Sequence, residues 1–435
     1  MKIQSVSAYQ VYDSRGDPTV EAEVILANGS RGRGIVPSGA SKGRYEALEL
    51  RDGNPLRFRG KSVFTAIRNI ETILGPELVR QNVLNQRSVD RCMIDLDGTP
   101  QKSRLGANAI LAVSMAYAYA AAASRHMPLH ACLGEGTLLP FPEIQIIGGG
   151  AHANWRIDVQ DFLIMAVGAQ TYQEVMETTY NVYQATADVL RERGKLCGVA
   201  DEGGFWPEID SHEQAFELLL SAIRRAGYRA GTDVALSLDI AASDLYDERT
   251  RQYTFRSENR SFDSAAFADL LAGWCRAYDV VSIEDPMADN DWAGWQQFRS
   301  VAPAGLQIVG DDLFVTNMER IRAGIDGNVA NAVLIKLNQI GTVTETLDAI
   351  RLTQSAGWKP VVSARSGETE DAFIAHLAVA TEAGQLKVGS FSRSERMAKW
   401  NEVLRIGRGL GSKARFAGKG VLSTPPDSAT PDTPG

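Results

Sequence analysis

The feature that most constrains the fold is a pattern that repeats through the second part of the chain. A short run of apolar or β-branched residues ends in a charged or polar residue, and a stretch with helical periodicity follows. The runs read VALSLD, VVSIED, LQIVGDD, AVLIKLNQ, PVVSARS and KVGS. Strands that alternate with helices form a parallel sheet, and a series of this length predicts a closed TIM-type β/α barrel. The predicted fold class is therefore α/β.

The first part of the chain has a different pattern, typical of a small α+β domain. Residues 3–12 and 19–27 alternate apolar and polar side chains as strands do, and the turn DSRGDP lies between them. A glycine-rich segment and helical stretches follow. We therefore predict an N-terminal α+β capping domain at 1–133, a barrel at 142–419, and a tail at 420–435 whose proline-rich composition predicts disorder.

The composition is typical of a soluble globular protein. The 435 residues are 44% hydrophobic and 23% charged, and the formal net charge of −8 argues against a nucleic-acid partner. The four cysteines are far apart and form no CxxC pair, which favours a reducing, cytoplasmic location. The longest apolar stretch, residues 107–125, contains Asn108 and Ser114, so we expect a buried helix and no membrane partner.

Three carboxylates end successive runs of the repeat, namely Asp239, Glu284 and Asp311. In a β/α barrel the strand ends meet at one face, the mouth of the barrel, where active sites lie. Three carboxylates there repel one another unless a hard cation lies among them, and oxygen ligands favour Mg²⁺. Alternatively, each acid caps the helix that follows it, but the series of three favours the metal.

Basic side chains belong to the strand ends that follow. Lys336 comes one strand after the third acid, and close to bound cations its ammonium form is disfavoured. We therefore expect a lowered pKa and a role as base for a proton next to a carboxylate. Lys387 is a second cation on a later strand end; alternatively, such a lysine serves as a salt-bridge partner. Arg365 and Ser366 are suited to hold a phosphate, with arginine as a bidentate fork.

Long stretches of the chain, over roughly residues 3–419, resemble the enolase family. The matching stretches are DSRGDPTVEAEV, VPSGASKGRYEALELRDG, MIDLDGT, GANAILAVS, DEGGF, SIEDP, VGDDLFVTN, LIKLNQIGTVTET and RSGETED. The resemblance implies an enolase fold, in which an N-terminal α+β domain caps a modified TIM-type barrel. It also implies a homodimer and a small phosphorylated substrate.

The resemblance also assigns roles to individual residues. It implies Mg²⁺ at Asp239, Glu284 and Asp311, with Ser38, in the PSGASKG lid, joining a second Mg²⁺. The residues assigned to the reaction itself are Lys336 as the base, Glu202 as the general acid for the departing hydroxyl, and Lys387 as a stabiliser of the enolate. The residues assigned to the substrate are Arg365 and Ser366 at the phosphate, and His152 near the phosphate and the leaving group.

The chain departs from the enolase pattern at several positions around the substrate. Ordinary enolases read SHRSGETED, so Ala364 replaces a histidine. Asp161, in VDVQDF, replaces a glutamate that pairs with Glu202, and we count Asp161 among the substrate-binding residues. Gly148 replaces an asparagine, and Lys42 replaces the threonine of the lid. The expected metal ligands and lysines are intact, so the substitutions cluster around the leaving group and one side of the phosphate.

These departures lead to a specific hypothesis and its alternatives. We predict that Ala364 makes room for a different substituent, as in the enolase-like carboxyphosphonoenolpyruvate synthase of phosphinate antibiotic biosynthesis. One alternative is a glycolytic enolase that converts 2-phosphoglycerate to phosphoenolpyruvate and tolerates the substitutions. Another is a non-catalytic enolase-like binding protein, which predicts erosion of the metal ligands. Drift in a degraded copy would also replace residues, but the intact acids and lysines argue against it.

Overall fold

The computed structural model describes residues 2–40, 43–81 and 85–422. Two sequence predictions therefore fall outside the described residues: the lid substitution at Lys42, and the tail beyond residue 422.

An antiparallel three-stranded sheet begins the chain, as the alternation over residues 3–12 and 19–27 predicts. Its strands are β1 (Ile3–Tyr12), β2 (Pro18–Leu26) and β3 (Arg31–Ile35), in the order β1-β2-β3. A 3₁₀ turn (Phe58–Gly60), five helices and a π-helical turn (Ile70–Leu74) follow. The helices are α1 (Phe64–Asn69), α2 (Gly75–Gln81), α3 (Gln86–Asp97), α4 (Ala107–Ser124) and α5 (Leu129–Leu133).

Helix α4 lies directly on this sheet, and two glycines of β3 allow its close approach. A Cβ atom on Gly32 would lie 2.2 Å from the carbonyl oxygen of Ala116, and one on Gly34 would lie 2.6 Å from Cβ of Met115. By length and composition α4 is apolar enough to cross a membrane, but 83% of it is buried inside the protein. This burial agrees with the expectation of a core helix.

The remaining strands belong to the barrel or to small sheets beside it. In chain order they are β4 (Leu138–Leu139), β5 (Phe141–Gly148), β6 (Asp161–Met165), β7 (Ala235–Asp239), β8 (Tyr246–Asp247), β9 (Gln252–Phe255), β10 (Arg260–Phe262), β11 (Val280–Glu284), β12 (Gln307–Gly310), β13 (Ala332–Ile335), β14 (Lys359–Ser363), β15 (Gln385–Gly389) and β16 (Arg415–Phe416). Strands β8, β9 and β10 form an antiparallel sheet, and β4 pairs with β16.

Eight of the described strands close into a barrel, which confirms the predicted fold class. The order around the barrel is β5-β6-β7-β11-β12-β13-β14-β15, and β15 returns to β5. The repeat analysis predicts a parallel sheet, but β6 runs antiparallel to both β5 and β7. The physical reason is the connection between β5 and β6, which is a short loop with a single 3₁₀ turn (Gly150–Ala153) rather than a crossover helix.

Helices cover the outside of the barrel. They are α6 (Tyr172–Glu192), α7 (His212–Arg225), α8 (Ser264–Ala277), α9 (Trp292–Val301), α10 (Met318–Gly327), α11 (Leu337–Ile340), α12 (Val343–Ser355), α13 (Phe373–Ala380) and α14 (Ser394–Leu410). Several begin at a side chain that accepts a backbone N–H bond; these N-caps include Thr171, Ser211, Asp263 and Thr342. Further 3₁₀ turns lie at Ala242–Leu245, Gly411–Lys413 and Gly418–Val421.

The N-terminal unit is joined to the mouth of the barrel through the loop that follows β14. Ser38 and Gly367 exchange two backbone hydrogen bonds, with N···O distances of 2.8 and 2.9 Å. The backbone N–H of Ser14 donates to the carbonyl of Glu368 at 2.7 Å, and Tyr119 donates to the Asp371 carboxylate at 2.7 Å. The segment of residues 38–40 is therefore held at the edge of the mouth.

Candidate active site

The three predicted metal ligands lie together at the mouth of the barrel, and all three are buried. Asp239 is the last residue of β7, and Glu284 is the last residue of β11, directly opposite it in the strand register. Asp311 follows β12. The capping alternative does not describe these acids, because other residues cap the elements that follow their strands. These are Ala241 before the 3₁₀ turn after β7, Asp291 before α9 and Asn317 before α10.

Two lysines contact these acids, and we call the five side chains together the lysine cluster. Lys387 Nζ donates to Asp239 Oδ2 at 2.8 Å and to Glu284 Oε2 at 2.7 Å. Lys336 donates to the carboxylate of Asp311. In this arrangement both lysines serve as ion-pair partners, the alternative that the sequence left open.

The pKa of Lys336 shifts in the opposite direction to the sequence prediction. Burial lowers it, but the carboxylates around the amine, Asp311 foremost and then Glu284, together raise it more, so the net shift is upward. The prediction of a lowered pKa assumed nearby cations, whereas the nearest charge to the amine in the described site is a carboxylate. The pKa of Lys387 is also raised well above its ordinary value, against the effect of burial, by Asp239 and Glu284.

The donor set of the lysine cluster fits a hard divalent cation. Its carboxylates supply only oxygen ligands, and Glu284 Oε1 is buried with no hydrogen-bond partner. Burial and the neighbouring Asp239 raise the pKa of Glu284 well above its ordinary value, which indicates uncompensated negative charge. Burial also raises the pKa of Asp239, but Lys387, a hydrogen bond with Glu284 and the charge of Lys336 together lower it to about 2. A cation would satisfy both the unpaired oxygen and the excess charge.

A second acidic group lies beside the first but already has protein partners. Single oxygen atoms of Asp285, Asp311 and Asp312 lie within 4.8 Å of one another. Asp285 accepts the backbone N–H groups of Asp311 and Asp312 at 2.9 and 2.8 Å. Its carboxylate therefore also has a structural role, fixing the loop after β12 and with it the position of Asp311.

His152, Asp161 and Glu202 form a second group across the mouth, which we call the histidine cluster. His152 Nδ1 lies 3.8 Å from Asp161 Oδ1 and 4.0 Å from Glu202 Oε1, and all three side chains are buried. Burial and the charge of Asp161 raise the pKa of Glu202, which favours a protonated carboxyl. Burial lowers the pKa of His152, but its two carboxylate neighbours raise it more, for a net upward shift.

Arg365 and Ser366 lie where the barrel mouth meets the N-terminal unit. Arg365 Nη1 and Nη2 donate to the two oxygens of Glu46 at 3.0 and 3.2 Å, and Nη1 also donates to Asn338 at 2.9 Å. Ser366 Oγ accepts the backbone N–H of Ala40 at 2.6 Å. The arginine is thus a bidentate fork as predicted, but the carboxylate on it here belongs to the protein.

The predicted lid residue Ser38 lies apart from the other predicted metal ligands. Its hydroxyl donates to Glu49 at 3.1 Å and accepts from Arg51 at 3.2 Å. The neighbouring Gly39 and Ala40 line the cavity between the two clusters, whereas Ser38 does not. The assignment of Ser38 to a second metal ion stays a prediction.

One cavity brings together the predicted residues other than Ser38 and Glu284; Glu284 lies behind its wall, in contact with Lys387. The lining of the cavity includes His152, Asp161, Glu202, Asp239, Asp311, Lys336, Ala364, Arg365, Ser366 and Lys387. Asp161, Asp239 and Lys387 belong to β6, β7 and β15. The others follow the ends of β12, β13 and β14 or lie in the loops that carry His152 and Glu202, and the closed barrel brings all of them together.

Sequence reasoning missed two amides and one acid of this region. Gln145, on β5, donates to the Asp161 carboxylate and accepts the backbone N–H of Gly204 at 2.8 Å. Gln160 donates to Asp239 Oδ2 at 3.0 Å. The third is Glu46, the partner of Arg365. A signal for Gln145 exists: a lone amide in the apolar run EIQII indicates a barrel-facing polar position.

Comparison with known proteins gives the family. A family model described as "Enolase, N-terminal domain" matches residues 3–133, and one described as "Enolase, C-terminal TIM barrel domain" matches residues 136–424. The chain belongs to the enolase family. A curated relative named Enolase 1, from Desulfitobacterium hafniense (strain Y51), is 50% identical over 425 residues, which is 97% of each chain.

Family membership supports an enolase-superfamily lyase but not the more specific sequence hypothesis. The assignment to a carboxyphosphonoenolpyruvate synthase, with its link to phosphonates and antibiotic biosynthesis, gains no support from these matches. High identity to an enolase over nearly the whole length favours the ordinary enolase instead. The few substitutions that suggest the synthase lie in one part of the site, whereas the identity extends over nearly the whole chain.

Ala364 lies within this enolase site as the sequence reading expected. It follows β14, its side chain is buried, and it lines the cavity between the two clusters. Its backbone N–H donates to the carbonyl of Lys387 at 2.9 Å, so the backbone there is fixed by the barrel. The substitution therefore removes a side chain from the cavity wall without loosening the strand end.

Proposed function

We propose that this chain catalyses the Mg²⁺-dependent dehydration of 2-phosphoglycerate to phosphoenolpyruvate. The observation that carries the proposal is the pairing of Lys336 and Glu202 across one buried cavity. The raised pKa of Glu202 makes its carboxyl suited to donate a proton. Lys336 is suited to accept a proton once Asp311 no longer pairs with its amine.

The proposed reaction divides between the two clusters. Lys336, as the neutral amine, takes the proton from C2, the carbon that bears the phosphate and adjoins the carboxylate. Glu202 gives its proton to the C3 hydroxyl, which leaves as water. The electron pair of the broken C–H bond becomes the C2–C3 double bond of phosphoenolpyruvate, so one proton is taken and one is given.

The carboxylates of the lysine cluster are the residues that would hold Mg²⁺, namely Asp239, Glu284 and Asp311. When bound, the ion neutralises charge that develops on the substrate carboxylate as the C2 proton leaves. Lys387 lies against two of these carboxylates and contributes a further fixed positive charge on that side. The unpaired oxygen of Glu284 supports this placement.

Arg365 and Ser366 are proposed to hold the phosphate. Arg365 lines both the catalytic cavity and a neighbouring cavity that contains Glu46, so the guanidinium lies between the two. Glu46 is absent from the lining of the catalytic cavity, which supports a role behind the arginine rather than in competition with the substrate. A homodimer and a cytoplasmic location are further proposals, and light scattering on the purified protein tests the first.

The test is a ³¹P NMR assay of the purified protein with 2-phosphoglycerate, with and without Mg²⁺. We expect phosphoenolpyruvate only when Mg²⁺ is present, and its loss in Lys336→Ala. The matched control is Lys102→Ala, because Lys102 is also buried in an ion pair, with Glu345 at 3.0 Å, but lies outside the cavity. A wild-type protein without turnover would contradict the proposal.

A second arm of the same assay tests the alternative that Ala364 raises. The protein is incubated with 2-phosphoglycerate or phosphoenolpyruvate together with an activated phosphonoformate donor. Consumption of the donor, in the absence of ready dehydration of 2-phosphoglycerate, would favour the carboxyphosphonoenolpyruvate synthase reaction. Dehydration without use of the donor supports the enolase.

A further inference from the structure

The side chain of Gln145 joins the carboxylate of Asp161 to the turn that carries Glu202. It is fully buried on β5. Its amide N–H₂ group donates to Asp161 Oδ1, and its carbonyl oxygen accepts the backbone N–H of Gly204, two residues after Glu202. One amide therefore connects the carboxylate at the start of β6 with the turn that carries the proposed proton donor.

Two glycines leave the space that this amide occupies. A Cβ atom on Gly204 would lie 2.5 Å from Gln145 Oε1, a distance that real side chains do not tolerate. A Cβ atom on Gly148 would lie 3.2 Å from Gln145 Nε2 and 2.6 Å from Cβ of Ala200. Gly148 is one of the departures from the enolase pattern, so this departure and Gln145 share the same space.

The long side chain of Gln145 reaches the short side chain of Asp161, so the two lengths together span the gap between β5 and β6. Ordinary enolases carry a glutamate in place of Asp161, one methylene longer. The Gln145 amide already contacts Asp161 Oδ1, so an added methylene at residue 161 would drive the carboxylate into the amide. Shortening residue 145 by one methylene, from glutamine to asparagine, would restore the combined length of the two side chains.

We propose that Gln145 is a positioning residue that sets the place of Asp161 and of the Glu202 turn, and that residues 145 and 161 are matched in length. The inference rests on the proposed dehydration of 2-phosphoglycerate for its kinetic readout. It implies that the histidine cluster is rebuilt as a unit, and that Asp161→Glu alone does not bring the site closer to an ordinary enolase.

The test is a double-mutant cycle of Gln145→Asn and Asp161→Glu. Each protein is assayed for dehydration of 2-phosphoglycerate and, in D₂O, for exchange of the C2 proton, which depends on Lys336. We expect each single variant to lose about 10–100-fold in the rate of dehydration, with far less loss in C2 exchange. The double variant should recover dehydration to within about threefold of the wild type.

A matched control separates positioning from general barrel packing. Gln307 is also a buried barrel glutamine, bonded to Gln385 at 2.9 Å and Ser282 at 3.0 Å, outside the catalytic cavity. Gln307→Asn should lower the thermal midpoint without changing the ratio of dehydration to C2 exchange. Equal losses of both activities in Gln145→Asn, as in this control, would overturn the positioning role.

Coupling between residues 145 and 161 is tested apart from the proposed function. If the wild type does not dehydrate 2-phosphoglycerate, the same four proteins are compared by thermal unfolding. The matched lengths then predict that the double variant unfolds at a higher temperature than either single variant. Additive losses, in activity or in the thermal midpoint, would overturn the inference even if the enzyme is an active enolase.

Discussion

The two clusters at the barrel mouth are held in different ways. In the lysine cluster, each lysine is in direct contact with one or two carboxylates, at 2.7 and 2.8 Å for Lys387. In the histidine cluster, the closest contacts of His152 to its acids are 3.8 and 4.0 Å, and its Nδ1 has no hydrogen-bond partner. The first cluster is fixed by its own charges. The second depends on surrounding side chains, namely Gln145 and Lys387, whose Nζ lies 3.6 Å from Asp161 Oδ2.

This difference explains where substitutions are tolerated. Removing one member of a buried ion pair leaves an uncompensated charge, so every member of the lysine cluster is constrained by the others. The histidine cluster has fewer mutual contacts, so its geometry can be reset by neighbours such as Gln145. All the departures from the enolase pattern that lie in described residues are on that side or in its wall, namely Gly148, Asp161 and Ala364.

The largest expected effect comes from the lysine cluster. Lys336→Ala removes the proposed base, so dehydration should fall by about 10⁴-fold, together with exchange of the C2 proton. Glu202→Gln should instead lower dehydration and leave measurable exchange, because the proton at C2 is still taken. Proton NMR in D₂O follows both activities. Exchange that survives in Lys336→Ala would assign the base to another residue and break the division between the clusters.

Loss of one proposed metal ligand should have the next largest effect. Glu284→Gln keeps the shape of the side chain but removes a charge, so Mg²⁺ should bind about 100-fold more weakly in calorimetric titrations. Asp90→Asn is the control, since Asp90 is a fully buried acid that accepts hydrogen bonds from Gln86 and Thr344, away from the barrel mouth. Activity lost on chelation should return when Mg²⁺ is added. An equal loss of Mg²⁺ affinity in the control would remove the metal site from the lysine cluster.

Removing the charge of Glu46, the ion-pair partner of Arg365, should lower activity less than removing a proposed catalytic group. Glu46→Gln breaks the bidentate ion pair, so we expect KM for 2-phosphoglycerate and Ki for inorganic phosphate to rise about tenfold while kcat changes little. Glu345→Gln also breaks an ion pair between the N-terminal unit and the barrel, with Lys102, but away from the cavity. A tighter affinity for phosphate in Glu46→Gln would mean that Glu46 competes with the substrate.

Restoring the imidazole at residue 364 tests the histidine cluster. Ala364→His adds a donor to the cavity wall beside Ser363 and Lys387, and we expect at most about a tenfold gain in kcat/KM for 2-phosphoglycerate. The gain should be larger in the Gln145→Asn, Asp161→Glu background, where the acid has its longer reach. Lower activity in every background would show that the cavity is shaped around alanine.

The smallest expected effect concerns the support behind His152. Glu258 contacts His212, whose other ring nitrogen lies 3.7 Å from Asp158, in the loop that carries His152. The hydrogen bond from His212 lowers the pKa of Glu258 to about 2. Because this pKa is depressed, the contact stabilises the fold above the ordinary carboxyl range and is lost as the pH falls toward 2.

Glu258→Gln should therefore lower the free energy of unfolding at neutral pH by about 1 kcal/mol or less. The difference from wild type should shrink as the pH falls below about 4.5. Denaturant unfolding at several pH values measures it. A difference that does not change with pH would mean that the contact depends on packing rather than on charge.

The sequence predicted the lysine cluster well because its pattern is local. Each acid or lysine ends a recognisable apolar run, and the rules of the barrel then bring the run ends together. Glu46 and Gln145 could not be identified in this way. Glu46 lies 319 residues from Arg365 in the chain, and no pattern around it indicates a site. The lone amide in EIQII indicates that Gln145 faces the barrel, but it does not specify the partners Asp161 and Gly204. The raised pKa of Lys336 likewise depends on contacts that spacing does not specify.

The reversed direction of β6 was missed for a related reason. The repeat consists of apolar runs that end in a charged residue, whereas β6 begins with a charged residue, Asp161. Strands β5 and β6 therefore did not enter the series, although they carry Gln145 and Asp161. A run preceded by an acid and separated from the previous strand by about twelve residues, too few for a crossover helix, is the signal that could have found it.

The antiparallel strand has a consequence for how this enzyme can change. In each parallel strand, the residue at the mouth is at the carboxyl end of the strand. In β6 the residue at the mouth, Asp161, is the first residue of the strand. Both ends of the hairpin of residues 148–161 therefore lie at the mouth, and His152 and Gln160 lie between them. A single insertion or deletion in that hairpin would shift His152, Gln160 and Asp161 at once, while the six separate strand ends opposite would stay where they are.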